Sequence, residues 1–303
     1  MRLPLTLSLV LVTGIGWGLI APTTRLAFTL DPRILDGASL TVARGTWTAL
    51  AWLVPFVVLV ARERRTIDRG AVLRALALGA LWGPGVMGLF AIATQRTALA
   101  HVVFSVGLTP ISASLFAIVV YGGTIDAPRR ASLLLGACAV AVLGLERTAA
   151  HASLLGDLSL LGWIVAFGLY ATVAVGAMQR HSPLFVAACA NTVGGTMLAF
   201  GSVFVSRWRE ATLAVATRPD LAGPFFGEIV VLGGFVAPLA YSYALRRAPV
   251  PVVTGGSQYL SLATGTVAAI VLFKEPFGPA TIVAGILLGL SLGLSLVPRR
   301  AAR

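Results

Sequence analysis

Three ionisable side chains stand inside or at the edge of long apolar runs: Arg44, Glu228 and Glu275. Charges are costly in hydrocarbon and tend to mark pathways for solutes or protons. Arg44 falls about two helical turns into its run. Its guanidinium is always charged and forks onto carboxylates, which makes it a candidate to hold a substrate carboxylate. The competing reading starts that helix at Gly45 and lets Arg44 snorkel to the outer interface. Glu228 is the one acid inside a run and away from a hinge. In a poorly hydrated cavity it would bind and release a proton, as proton-coupled antiport requires. Alternatively, Pro224 and Glu228 open a helix whose N-terminal dipole favours an acid. Glu275, between Lys274 and Pro276, reads as a cap or hinge.

Neutral groups add a second layer. Trp17, Trp82, Gln95, Tyr170, Asn191, Tyr241, Tyr243, Gln258 and Tyr259 are candidate cavity-lining residues. An aromatic face with a hydrogen-bonding tip suits flat amphipathic solutes. Trp163 and Trp208 are assigned instead to interfacial belts. The glycines of Gly14-Ile15-Gly16-Trp17-Gly18 follow no strand, so they do not cradle a dinucleotide. They read as a close-packing surface, with Gly18 and Pro22 also candidate hinges. Gly83-Pro84-Gly85 interrupts the third run, and Gly233-Gly234 with Pro238 interrupts the eighth, so Pro84 and Pro238 are candidate hinges too. His101, His151 and His181 lie near gaps between runs, without metal-ligand spacing. Cys138 and Cys189 have no partner spacing and read as small core hydrophobes. No metal, no cofactor and no enzymatic constellation is expected.

The elements that must position these residues are transmembrane helices. Hydrophobic residues make up 57 % and charged residues 11 % of the chain, against about 25 % charged in soluble domains. The 33 Gly and 16 Pro lie mostly inside apolar runs, which membrane helices tolerate. Runs are read at Leu5–Ala27, Ala38–Ala61, Val72–Thr94, His101–Gly122, Arg130–Arg147, Asp157–Gln179, Leu184–Ser206, Phe225–Arg246, Val252–Phe273 and Pro279–Val297. About 20 apolar residues span the bilayer, and in lipid the backbone must bond within its own segment. The first run is too long for a signal peptide core and is expected to stay uncleaved.

The net charge of +12 is almost wholly arginine, gathered in the short gaps, so it reads as an orientation signal and not as a nucleic-acid surface. With the N-terminus inside, the inner segments hold 14 basic residues and the outer ones 7. Both termini are therefore expected in the cytoplasm, in a bacterial-type inner (plasma) membrane.

The chain also repeats itself. Leu134-Leu135-Gly136 through Leu143-Gly144-Leu145 matches Val283-Ala284-Gly285 through Leu292-Gly293-Leu294, Trp17-Gly18-Leu19-Ile20 matches Phe167-Gly168-Leu169-Tyr170, and Gln95-Arg96 matches Arg246-Arg247. An odd number of spans per copy inserts the second copy from the opposite side. The expected fold is an all-α integral membrane protein. It has about ten transmembrane helices as an inverted repeat of two five-helix halves, residues 1–150 and 151–303.

Three features carry a resemblance: the Gly14-Ile15-Gly16-Trp17-Gly18 opening, Leu108-Thr109-Pro110 running to Tyr121-Gly122, and Leu272-Phe273-Lys274-Glu275 before a Gly-spaced last run. In their order they resemble the drug/metabolite transporter superfamily, EamA type. The resemblance implies a central cavity between two halves, alternating access around it, and Pro110 and Glu275 as recurring family positions, with Pro110 joining the candidate hinges. The sequence departs from the family at Gly123 and Leu262, where a Glu and a Pro are usual. The aromatic amino acid exporters of the superfamily share the first departure. The expected function is a secondary transporter, an exporter of small metabolites such as amino acids or amphipathic compounds, with protons as candidate coupling ion. The alternatives are a membrane-embedded lipid-modifying enzyme and a structural membrane protein that does not transport.

Overall fold

The computed structural model describes residues 3–65, 67–96, 99–122, 125–146, 153–274 and 279–295. Among them the protein is all-α. The helices are α1 (Leu3–Leu30), α2 (Gly37–Glu63), α3 (Arg69–Arg96), α4 (Leu99–Tyr121), α5 (Ala127–Glu146) and α6 (Leu154–Ala177). They continue as α7 (Pro183–Phe200), α8 (Trp208–Thr217), α9 (Pro219–Leu245), α10 (Val250–Phe273) and α11 (Pro279–Ser295). Seven of them, α1, α2, α3, α6, α7, α9 and α10, are long and apolar enough to cross a membrane; apolar runs Ser105–Tyr121 and Ile282–Ser291 are shorter. Large apolar side chains such as Val54, Val119, Leu134, Leu154, Val271 and Ile286 point outward. Such a surface is covered by lipid, and the protein is a multi-pass membrane protein.

Helix starts follow from capping side chains. Asp36 accepts from the Ser39 N–H at 2.6 Å, and Asp68 from the Ala71 N–H at 2.6 Å. Ser153 and Ser182 do the same for α6 and α7, with Pro183 opening α7. The Asp36 cap starts α2 at Gly37, so the alternative start at Gly45 is overturned. α9 begins at Pro219, not Phe225, so Glu228 does not sit in an opening turn. The short helix α8, tied to α2 by the Trp47 indole N–H on the Thr212 carbonyl, occupies what reads in sequence as a loop.

Lipid tails are as apolar as leucine, so helices in a bilayer associate through close packing and polar contacts. α1 lies along α10, α2 along α7, α5 along α11, α4 against α6 and α10, α3 against α6 and α7, and α9 against α1 and α2. The approaches are backbone-close. A Cβ at Gly18 would lie 2.6 Å from the Ser261 carbonyl oxygen, and one at Gly195 would lie 2.6 Å from the Gly45 carbonyl oxygen. α5 and α11 are joined by reciprocal bonds: each of the Ser132 and Ser291 hydroxyls donates to the other's carbonyl at 2.7 Å.

Two helices carry wide turns. Residues Leu81–Gly88 of α3 and Phe225–Val236 of α9 are π-helical. They coincide with the Gly83-Pro84-Gly85 and Gly233-Gly234 interruptions. Proline lacks the donor of the ordinary ladder, and π turns gather at functional sites. Pro22 and Pro110, in contrast, lie within continuous helices.

Candidate functional site

A cavity of about 640 Å³ of atom-free space, mouth included, opens between α1, α2, α3, α4, α6 and α10. Trp17, Trp82, Phe90, Trp163 and Phe167 supply its aromatic wall, and Arg44, Gln258 and Ser261 its polar groups. Each helix contributes from mid-depth towards one end, the end holding Leu30, Gly37, Arg96, Leu99, Leu154 and Phe273. Towards the other end rings close this cavity off, and a separate pocket lined by Ser114, Tyr121, Arg129 and Val250 opens there between α4, α5 and α10.

The closure is a layer of rings. Trp17 packs on Tyr241 (centroids 4.9 Å apart) and edge-on against Phe167 (5.6 Å, 87°), while Trp82 lies 4.7 Å from Tyr170. Offset and edge contacts of this kind are the favoured aromatic geometries. The Trp82 indole donates to Asn191 Oδ1 at 2.9 Å, and Asn191 anchors itself by donating to the Ala187 carbonyl at 2.9 Å. The Tyr241 hydroxyl bonds the Thr254 hydroxyl at 2.8 Å. Below this floor, Glu63 at the end of α2 ties the turn between α6 and α7. The His181 Nδ1 is 2.9 Å from Glu63 Oε2, and the Ser182 hydroxyl donates to Glu63 Oε1 at 2.8 Å. His181 is buried and stacked on Phe185.

Polar demand in the cavity is unmet by the protein itself. The Arg44 side chain is only 9 % exposed, yet its Nε has no hydrogen-bond partner. Outside the lining, on α9, Glu228 Oε1 is likewise buried and unpartnered. The Trp17 indole N–H, in the cavity wall, is also buried without a partner. Buried polar groups left unpaired are costly, so such groups face a ligand or ordered water.

Of the sequence candidates, Trp17, Arg44, Trp82 and Gln258 line the cavity, with Gly18 in its wall. Tyr170, Tyr241 and Asn191 are fully buried in or behind the floor; Asn191 orients Trp82. Three expectations are corrected. Tyr259 turns away from the cavity into a cluster with Ala139, Ala284 and Leu288, because α5 and α11 cover that face of α10. Gln95 is exposed at the end of α3, over Gly37. Tyr243 meets the Arg247 guanidinium instead of the cavity. Trp163, assigned to an interfacial belt, is 5 % exposed and forms part of the wall with Phe90. Trp208 opens α8, with Arg209 over its ring. Of the candidate hinges, Pro84 falls inside the π stretch of α3 and Pro238 just after that of α9. Glu275 lies outside the described residues, next to Lys274, which ends α10 in a left-handed conformation (φ 52°). Cys189 is buried as expected and Cys138 is exposed. Among the described residues no three His, Cys, Asp or Glu side chains gather in a metal-like group.

No family model matches the sequence, and no curated protein is detectably similar to it. Among solved structures, a crystal structure known simply as that of a protein superposes with a TM-score of 0.67. It is 16 % identical in sequence, and the match covers 96 % of this chain and 95 % of that one. The likeness is one of fold.

Proposed function

We propose that the protein is a secondary transporter of the EamA type, exporting small amphipathic metabolites such as amino acids across an inner membrane by alternating access. The observation that carries this reading is an aromatic-walled cavity, open towards one end and closed by rings at the other. It sits at the seam between residues 1–150 and 151–303. An inverted repeat of five-helix halves requires every contact between halves to have a counterpart when the halves are exchanged. Exchange pairs α1 with α6, α2 with α7, α3 with α9, α4 with α10 and α5 with α11. The contact α1–α10 then maps onto α6–α4, α3–α6 onto α9–α1, and α3–α7 onto α9–α2, while α2–α7, α4–α10 and α5–α11 map onto themselves. The two π stretches exchange as well.

With both termini in the cytoplasm, as the arginine distribution favours, the cavity opens to the outer side and the Glu63–His181 end faces the cytoplasm. Glu228 is the candidate proton carrier. Reconstituted protein is expected to catalyse counterflow of amino acids or amphipathic solutes; absence of counterflow across such a panel overturns the reading. Glu228→Gln is expected to flatten the pH dependence of transport, and an unchanged dependence removes the proton role. Cysteines placed at Trp17 and Gln258 are expected to react with water-soluble thiol reagents from one side only.

A further inference from the structure

The cavity is electrically one-sided. Among its described lining residues Arg44 alone carries a charge; the rest are apolar, aromatic or neutral polar. Arg44 as a whole is 9 % exposed, its Nε is buried and unpartnered, and it makes no ion pair among the described residues. Glu228 does not line the cavity. It lies on α9 within the π stretch, and its own Oε1 is unpartnered.

From this arrangement we infer that Arg44 is an anion-binding subsite for a carboxylate on a flat apolar body. The inference deepens the transporter reading by naming the charge class of the cargo. A buried guanidinium without a bonded partner is unstable in a low-dielectric setting, and a forked carboxylate supplies the strongest neutralising contact. The ring-walled space beside Arg44 accepts the apolar part. A cationic amphiphile meets an unopposed like charge there, and a neutral one leaves Arg44 unpaired.

Equilibrium binding to the purified full chain in detergent, with phenylacetate and its neutral isostere phenylacetamide, tests this without requiring transport. Phenylacetate is expected to bind at least about tenfold more tightly than the amide, as a charge-assisted forked contact implies. Arg44→Gln is expected to abolish that preference. Should Arg44→Gln fold poorly, the double variant Arg44→Gln with Glu228→Gln leaves no ionisable group at either position and must likewise show no preference. Equal affinities in the unaltered protein, no binding of phenylacetate, or a preference surviving loss of Arg44 would each overturn the inference. Carboxylate binding without any counterflow would leave the subsite standing and remove the transporter reading instead.

Discussion

The two ends of the bundle are tied by different chemistry. At the closed end, Glu63 holds His181 and Ser182 beneath a ring floor, and the His181 side chain is 2 % exposed. At the open end, Arg218 bridges Asp31 and Asp220 in contact with solvent, its side chain 37 % exposed, and the Arg207 guanidinium donates to the Arg33 carbonyl. The two carboxylates are similarly exposed, Glu63 at 21 % and Asp31 at 18 %, so the ends differ in their cationic partners, with His181 sealed from water and salt and Arg218 open to both. Both ties join one half of the chain to the other. The open end is therefore held by contacts that exchange readily, and the closed end by contacts that resist opening. An alternating-access cycle from this state must pay its main cost at the Glu63 end.

The largest expected effect comes from cutting the buried tie. Glu63→Ala strands His181 Nδ1 and the Ser182 cap and is expected to cost about 3 kcal/mol of stability, read as a lowered melting temperature in detergent. A loss no greater than that of an exposed ion pair would erase the distinction between the ends. Next comes the floor. Trp82→Phe keeps a ring but leaves Asn191 Oδ1 without its donor, for an expected loss of about 1–2 kcal/mol, while Asn191→Ala combined with it adds little further. At the open end, Arg218→Ala is expected to change stability only slightly, with the difference vanishing at high salt. A large, salt-insensitive loss would put the two ends on a par.

The smallest effect sharpens the comparison within the closed end. Asp68 caps α3 at the surface there, and the Ala71 N–H, with Arg74 and Arg180 nearby, holds its carboxyl below the ordinary carboxylate range. A depressed folded-state value means that its stabilisation is complete above the ordinary carboxylate range and fades as pH falls through the lower folded value. Asp68→Asn is expected to reduce the pH dependence of melting in that acidic window and leave the behaviour at neutral pH nearly unaltered.

How far these features are legible in sequence depends on contrast. Each of the ten apolar runs folds as a helix, because runs of that length have one backbone solution in lipid. The depth of Arg44 was readable from Asp36 three residues before Ser39, a capping spacing. Which face a residue takes was not. In water, polar and apolar faces alternate with the helical period; in lipid the outer face and the interior are both apolar, so the pattern carries little direction. Tyr259 and Gln258 are neighbours on α10, and the sequence offers no reason to turn the first into a packed cluster and the second into the cavity. Trp163 suffered the same ambiguity, since a tryptophan serves equally at an interface or in a wall. The Glu63–His181–Ser182 tie joins residues more than a hundred positions apart, with only Ser182-Pro183 as a local signal of a helix start.

The wide turns of α3 and α9 have a mechanical consequence. A π turn is a surplus residue in the hydrogen-bond ladder, and a surplus can be handed along the chain like a fold in a carpet. Each such step turns the residue it passes by about 100° while sacrificing few bonds at a time. Trp82, inside one of these folds, could thus leave the ring floor by rotation alone, without α3 as a whole having to tilt.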